Sequence, residues 1–538
     1  MGADETEAVG HRARFTTLVA HQARTIRVTS IVWIVGLLVV SALVVGVYES
    51  AYPTAADRAA LAEQIEGNPS FEALFGPARD IDTLGGFAVW RINGVATLLA
   101  AVWLLLAAGR LTRGEEDPGY AELVAAGGVG RREPLGATLL VIAAGAALLA
   151  ALVVTVMLVF GVGLVDALLV GGGQALVGVT FAGIAALAAQ LVSSRARTTA
   201  VAGGALAVAY MLRVLATGAD LDVLAWATPL GWWSELAFDP RAAPLVPFAI
   251  AVPALAVLAL FSAGRRDLGA SALGYSNRAG SPGRPVGSSL ALALRSVRPA
   301  AVGWTVGIGA YALLIGLLVK DMLEFFRDSP QFAELVELLG LVELDTPERF
   351  LGLPFSIIVV FVALVAAQQA GAVRDEEAAG RLETLLAQPL ARVRWLGERL
   401  VAAVATLVLV VAVVGFAAGL GVVLRGESVD PVRLALASLN LLPVSALVLG
   451  VGVAVYGLRP RLTAPAVYAV VVGGFLLEFV GGILELPEWI LVASPFHHVQ
   501  PAPAVDPALG SSLALLALAA AALGLGLYGF RRRDLVGR

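Results

Sequence analysis

Cysteine is absent from this 538-residue chain, and lysine occurs once, at Lys320, among 37 basic residues. The first absence excludes disulfides, thiolate metal sites and cysteine nucleophiles. The second leaves no lysine for a G-x-x-x-x-G-K-[ST] phosphate loop, and none is present. Charge is scarce as well, at 14% of residues with a net of −4. A soluble domain carries roughly 25% charged residues, and a nucleic-acid partner calls for a basic surplus that is missing here. Histidines number four. The pair His497-His498 has no further ligand at metal spacing, so no metal site is expected.

What fills the sequence instead is apolar: 59% hydrophobic residues and a mean hydropathy of +0.85. A membrane crossing needs about 20 mostly apolar residues, and such stretches recur along the whole chain. They lie near 29–48, 88–110, 136–160, 168–192, 198–217 and 244–263, then near 300–319, 353–372, 399–424, 433–457, 462–484 and 509–530. The expected fold is an all-α polytopic membrane protein of about twelve spans. The alanine, valine, glycine and leucine bias, with arginine replacing lysine, points to GC-rich coding and hence a bacterium. The first residues are polar through Thr29, so no cleavable signal is expected.

Arginines set the expected orientation. They cluster before the first span, at Arg110, Arg113, Arg131 and Arg132, at Arg195 and Arg197, at Arg374, Arg381, Arg392 and Arg394, and after the last span. These are alternate loops, as the positive-inside rule requires of a cytoplasmic face, which places both termini inside a bacterial plasma membrane. The opposite loops are acidic. Two are long, 49–87 and 320–352, and carry apolar residues at helical spacing, among them Phe325, Phe332, Leu335 and Leu338. Short amphipathic helices outside the membrane are expected in both.

The chain also repeats itself. Arg113–Leu135 aligns without a gap on Arg374–Leu396, matching Arg113 with Arg374, Glu115 and Glu116 with Glu376 and Glu377, and Gly119 with Gly380. Glu122 then matches Glu383, and Arg131 matches Arg392. Trp33 and Gly36 pair with Trp304 and Gly307, Thr228-Pro229 with Ser494-Pro495, and Arg265-Arg266-Asp267-Leu268 with Arg532-Arg533-Asp534-Leu535. An even number of spans per copy makes the repeats parallel rather than inverted. The expected organisation is an amphipathic cytoplasmic segment 1–28 and a first six-span repeat 29–263. A linker with a second interfacial segment, 264–298, leads to a second repeat, 299–530, and a basic tail, 531–538.

The segment between the second and third spans is the one long polar stretch in both copies. Arginines alone would satisfy the positive-inside rule; repeated glutamates add little to topology, so a docking element is expected there. The pattern R-x-E-E-x-x-G-x-x-E-x8-R resembles the coupling-helix region of ABC-2-type transport permeases. The six-span unit, the long outer loop after its first span and the prolyl loop before its sixth are similar to the same family. The duplicated form resembles bacterial exporters of polyketide antibiotics. The resemblance implies the permease subunit of an ATP-binding-cassette exporter for a hydrophobic or amphiphilic compound. It implies no cofactor on this chain, ATP and magnesium on two copies of a separate ATPase subunit, and coupling through the twelve residues Arg113 to Arg131 and Arg374 to Arg392 matched above. Membrane lipids surround the chain and no nucleic acid is expected. The first copy departs from the second at Gly128, where the second has Pro389.

Gly524-Leu-Gly526-Leu-Tyr-Gly529 matches G-x-G-x-x-G formally, but it lies inside a span with no strand before it and reads as helix packing. Intramembrane polar residues flag function. Arg91 and Arg213 sit near outer span ends and can snorkel, whereas Glu478 lies in an apolar run. Trp232, Trp233 and Trp489 read as interfacial belt residues. For a substrate pathway between the halves, Asn93, Trp103, Tyr210, Met211, Phe361 and Glu478 are the candidates, with span numbers supplied by the resemblance. Two other classes compete. An ion-coupled secondary transporter with two parallel halves would need buried coupling charges and no repeated acidic element. A membrane-embedded transferase would need a clustered carboxylate or histidine site, which the sequence lacks.

Overall fold

Threonine, serine and aspartate side chains start many of the helices, and within each unit they do so beside the acidic loops. Thr54 opens a helix with a full capping box, its Oγ1 accepting from the Asp57 amide while the Asp57 carboxylate accepts from the Thr54 amide. Thr83, Thr228, Thr346 and Asp430 cap later helices with the side-chain oxygen alone, three of them followed by proline at the first helical position. Each cap satisfies an amide that would otherwise face hydrocarbon or the headgroup region unpaired.

The computed structural model describes residues 3–66, 71–72, 75–116, 129–218, 222–241, 243–265, 288–328, 346–483 and 486–535. It is 85% helical, and no strand occurs among the described residues. Its helices include α1 (Ala3–Ala51), α2 (Ala55–Ile65), α3 (Leu84–Leu111), α4 (Arg113–Glu116), α5 (Glu133–Val159), α6 (Leu164–Leu191), α7 (Arg195–Gly218), α8 (Pro229–Phe238) and α9 (Leu245–Arg265). They continue with α10 (Ser289–Asp328), α11 (Pro347–Ala378), α12 (Arg381–Leu386), α13 (Arg392–Leu424), α14 (Pro431–Ala437), α15 (Leu442–Leu458), α16 (Thr463–Ile483) and α17 (Leu509–Arg532). Among the described residues, twelve helical stretches are long and apolar enough to cross a membrane. The chain divides into two compact units, Met1–Ala279 and Gly280–Arg538, and six of those stretches fall in each. This is an all-α polytopic membrane protein.

Packing within each unit depends on small residues, as expected where lipid removes most of the hydrophobic drive between helices. In the first unit α3 turns Ala88, Ala96, Ala100 and Ala108 onto α6, which answers with Gly178, Ala182 and Ala185, all buried. In the second unit α15 and α17 meet backbone to backbone: a Cβ at Gly526 would overlap the Val453 carbonyl, and one at Gly529 would lie 2.8 Å from the Gly457 oxygen. The G-x-G-x-x-G run is therefore a helix-packing seam.

Four expectations need correction or narrowing. Residues 1–28 do not form a separate segment; α1 runs unbroken from Ala3 to Ala51, and no glycine or proline between His11 and Val35 gives the helix a reason to stop. Trp233 is not a belt residue, because it is buried against Gly173. Arg213 does not snorkel; it is 5% exposed. The outer helix expected in 49–87 is α2, whose Leu61 and Ile65 pack with Tyr48, Ile81 and Trp90. That expected around Phe332, Leu335 and Leu338 lies outside the described residues.

Candidate functional site

The repeated segment begins where α3 and α11 end. In the first unit the Thr112 hydroxyl caps α3 by donating to the Ala108 carbonyl at 2.6 Å, and α4 follows at once. Arg113 is 1% exposed. Its Nε donates to the Ala189 carbonyl at 2.6 Å, and its Nη1 pairs with Glu116 at 2.7 Å. Ala189 lies in the last turn of α6, where carbonyls have no helical partner and a cation opposes the negative end of the dipole. Arg113 thus ties the ends of α3 and α6 together. Glu115 instead faces α1, with an oxygen 3.8 Å from His21 Nε2. The next residue on α1, Gln22, is buried, donates to the Pro134 carbonyl at 3.1 Å and accepts from Thr138 at 3.1 Å. These bonds fix α1 to the start of α5.

The second unit builds the same junction from ion pairs. Arg374, Glu376 and Glu377 lie on the last turns of α11, and Gly380 then reverses the chain at φ +70°. That left-handed conformation suits glycine. Glu377, 2% exposed, accepts two bonds from Arg533, Nη1 to Oε1 at 2.7 Å and Nη2 to Oε2 at 2.5 Å. The Arg533 guanidinium also lies 4.8 Å from the Tyr456 ring and 5.2 Å from the Phe530 ring, and its carbonyl accepts from Arg392 at 2.9 Å. Glu376 pairs with Arg399 at 2.8 Å, and Arg399 donates onward to the Ser296 hydroxyl at 2.5 Å. Ser289 bonds Glu398, which Arg394 pairs at 3.0 Å. Carboxylates on α11 therefore connect its end to α10, α13, α15 and the residue after α17.

The short helix α12 rides on this network. Leu382 is fully buried among Val373, Trp395, Leu396, Tyr456 and Phe530, while Arg381, Glu383, Thr384, Gln388 and Pro389 are exposed. The expected acidic face is thus split. Glu376 and Glu377 point into their own unit, and Glu383 points out. In the first copy Glu116 is turned inward by Arg113, Arg131 sits on an exposed turn, and Gly119 and Glu122 lie outside the described residues. Arg374 is half-buried, with a buried Nη1 that has no hydrogen-bond partner among the described residues. Sequence reasoning missed Arg399, Tyr456, Ser296 and above all Arg533. The available signal was the duplicated Arg-Arg-Asp-Leu after each last span, which topology alone does not require.

The residues expected on a substrate path do not gather at one place within either unit. Asn93 lines a cavity of about 30 Å³ at the acidic-loop end of the first unit, with Thr97, Trp90, Arg213 and Trp233. Asn93 Nδ2 and Trp233 Nε1 are buried without a hydrogen-bond partner among the described residues. Tyr210 lies under Arg213, its ring centre 5.0 Å from the guanidinium, so Asn93 and Tyr210 share one neighbourhood. Met211 is half-buried on α7. Trp103 sits in the first unit's core. In the second unit Phe361 is exposed and meets Tyr311 edge-on at 6.3 Å. Glu478 pairs with His497 at 3.3 Å near the acidic-loop end of α16.

Comparison with known proteins gives two findings. A family model for the C-terminal domain of the multidrug efflux system permease Rv1217c matches residues 286–531. The multidrug efflux system permease protein Rv1217c of Mycobacterium tuberculosis is 32% identical over 547 residues, which cover 99% of this chain and 98% of that protein.

Proposed function

The chain belongs to the family of the multidrug efflux system permease Rv1217c, and we propose that it is the permease subunit of an ATP-driven exporter of the ABC-2 type. As a member of that family it is a membrane permease of an efflux system rather than an enzyme. The finer reading is that two copies of a separate ATPase subunit bind ATP and magnesium and dock on the arginine-rich end, which faces the cytoplasm of a bacterial cell. The cargo is a hydrophobic or amphiphilic compound, of which a polyketide antibiotic is one instance.

One observation carries this reading. The α12 helix is seated by a single buried leucine on a network that reaches α10, α11, α13, α15 and the end of α17. A push on its exposed face is transmitted to several spans at once, because a packed, ion-paired junction moves as a unit rather than deforming. A solvated loop would need no such seat.

The test uses everted vesicles holding the full chain and its ATPase. Uptake of an amphiphilic dye is followed after a Thr384→Cys variant reacts with a bulky maleimide. ATP-dependent uptake should fall to background on labelling and stay intact in the unlabelled variant. Uptake that ignores ATP and collapses with a protonophore would sink the reading in favour of an ion-coupled carrier, whose titratable pair would be Glu478 and His497.

A further inference from the structure

Between α1, α3 and α5 the first unit contains an apolar groove of about 330 Å³. Ile26 and Ile34 of α1, Trp103 and Ala107 of α3, and Gly145 of α5 form its walls. An apolar cavity less than half that size holds benzene, and close-packed interiors leave no void on this scale unfilled. Its side is open in the plane of the bilayer: Val28, Ile31 and Val32, along the same stretch of α1, are all exposed. The groove exists because α1 is fixed to α5 at two separated places. One is the Gln22–Thr138 bond at the arginine-rich end; the other is Gly46 against Phe160, with 3.5 Å left for a Cβ. The counterpart helices of the second unit, α10 and α13, touch along their backbones instead. A Cβ at Gly421 would lie 2.5 Å from the Leu313 carbonyl, and by the register of the repeat Phe160 stands where Gly421 does.

Polar groups in the groove are few, and their order along α1 is informative. Arg27 lies at the arginine-rich mouth, exposed, and no carboxylate pairs with it among the described residues. Ser30 is one turn deeper, roughly 4.5 Å along the axis, and its Oγ is buried without a hydrogen-bond partner among the described residues. Beyond Ser30 the lining is apolar. A cation, then a hydroxyl, then a hydrocarbon slot is the complement of a phosphate, a glycerol ester and an acyl chain in the same order. We propose that the groove is a binding site for one anionic phospholipid. Its acyl chain lies against Trp103 and Gly145, its ester carbonyl accepts from Ser30, and its phosphate sits on Arg27. This site belongs to the first unit and does not depend on how export is energised.

The full chain, reconstituted in vesicles of equal phosphatidylglycerol and phosphatidylcholine, is extracted, and retained lipids are counted by native mass spectrometry. The wild type should keep one phosphatidylglycerol that Gly145→Leu, which fills the slot, does not. Arg27→Gln leaves the packing alone and should reduce the preference for phosphatidylglycerol about fivefold, as expected for one arginine at an anionic surface. Chain-brominated phosphatidylglycerol should quench wild-type fluorescence more than the brominated choline lipid, and Trp103→Phe should remove that difference. Equal retention of the two lipids by the wild type would overturn the proposal. So would identical lipid counts in wild type and Gly145→Leu, or a groove holding the exported dye but no phospholipid.

Discussion

Glu377 and Arg533 lie 156 residues apart in sequence and meet as a two-point fork, both oxygens of one accepting from both terminal nitrogens of the other. The pair is almost entirely shielded, with side-chain exposures of 2% and 13%, and aromatic rings of Tyr456 and Phe530 flank the guanidinium. A geometry of this kind fixes position as well as charge. It holds the residue after α17 against the end of α11, directly beneath the α12 seat.

Removing one member of such a pair leaves the other charged and buried, at a cost of about 3–5 kcal/mol. Glu377→Gln and Arg533→Gln should each lower the thermal midpoint of the detergent-solubilised protein by several degrees. The double variant Glu377→Leu with Arg533→Leu should lose less than the sum of the two, since no orphan charge remains. Unchanged midpoints in both single variants would show that the fork contributes nothing to stability.

Much of the fold was legible because its signals are local. Span length, the repeated Thr228-Pro229 and Ser494-Pro495 pairs and the glycine seam of α17 can each be read within a few residues, and both hydroxyls accept from a following amide, Thr228 from Gly231 at the start of α8 and Ser494 from Phe496 at a short 3-10 turn. The candidate site was legible only as a repeat. Helical spacing locates Glu376, Glu377 and Glu383 on a polar stretch, but which of them faces out depends on Arg399 and Arg533, one on the next span and one at the far end of the chain. No periodicity within the segment carries that information. The continuity of α1 was missed for the opposite reason: a change from polar to apolar composition looks like a boundary, yet the backbone has no breaker there.

The glycine seam predicts a sharp contrast within three residues. Gly524 has open space where a Cβ would go, whereas Gly526 faces the backbone of Val453. Gly526→Ala should force α15 and α17 apart and cost about 1–3 kcal/mol, the usual range for overpacking. Gly524→Ala should be neutral or stabilise slightly, because alanine is the better helix former. Thermal midpoints of the two purified variants decide it, and equal behaviour would remove the seam from the packing.

The acidic-loop end offers a pH prediction. Hydrogen bonds from the Thr54 side chain and backbone hold the Asp57 carboxyl below its ordinary value. A group depressed by folding lends stability above its unfolded value, about 4, and that stability is lost as pH falls through the lower folded value. Protection factors of the first-turn amides of α2, taken relative to the intrinsic exchange rate at each pH, should therefore fall on acidification below about pH 4. Thr54→Ala should show fast exchange at neutral pH already.

Topology can be settled against a zero background, since the chain has no cysteine. Ala56 and Thr384 are both exposed, one on α2 and one on α12. In intact cells an impermeant maleimide should label Ala56→Cys and spare Thr384→Cys until the membrane is opened. The reverse result would invert the whole arrangement and remove the ATPase from the α12 face.

Glu383 separates docking from scaffolding. It is the member of the second acidic set that stands exposed on α12, while Leu382 beside it is buried in the seat. An exposed carboxylate adds little to the stability of the free permease. Desolvated against a basic patch on an ATPase, it would be worth about 1.5–3 kcal/mol, or roughly a 10- to 100-fold change in affinity. Glu383→Ala should therefore weaken binding of the purified ATPase by that factor and leave the thermal midpoint where it was. Glu377→Gln should do the reverse in the free protein, lowering the midpoint through the lost fork with Arg533. Any loss of export in that variant follows from a loosened seat, so a lower assay temperature should restore part of it. The two variants thus move different readouts although their side chains are six residues apart in the same repeated segment. If Glu383→Ala bound the ATPase as tightly as wild type and exported at full rate, α12 would be a structural turn and the docking face would have to lie elsewhere.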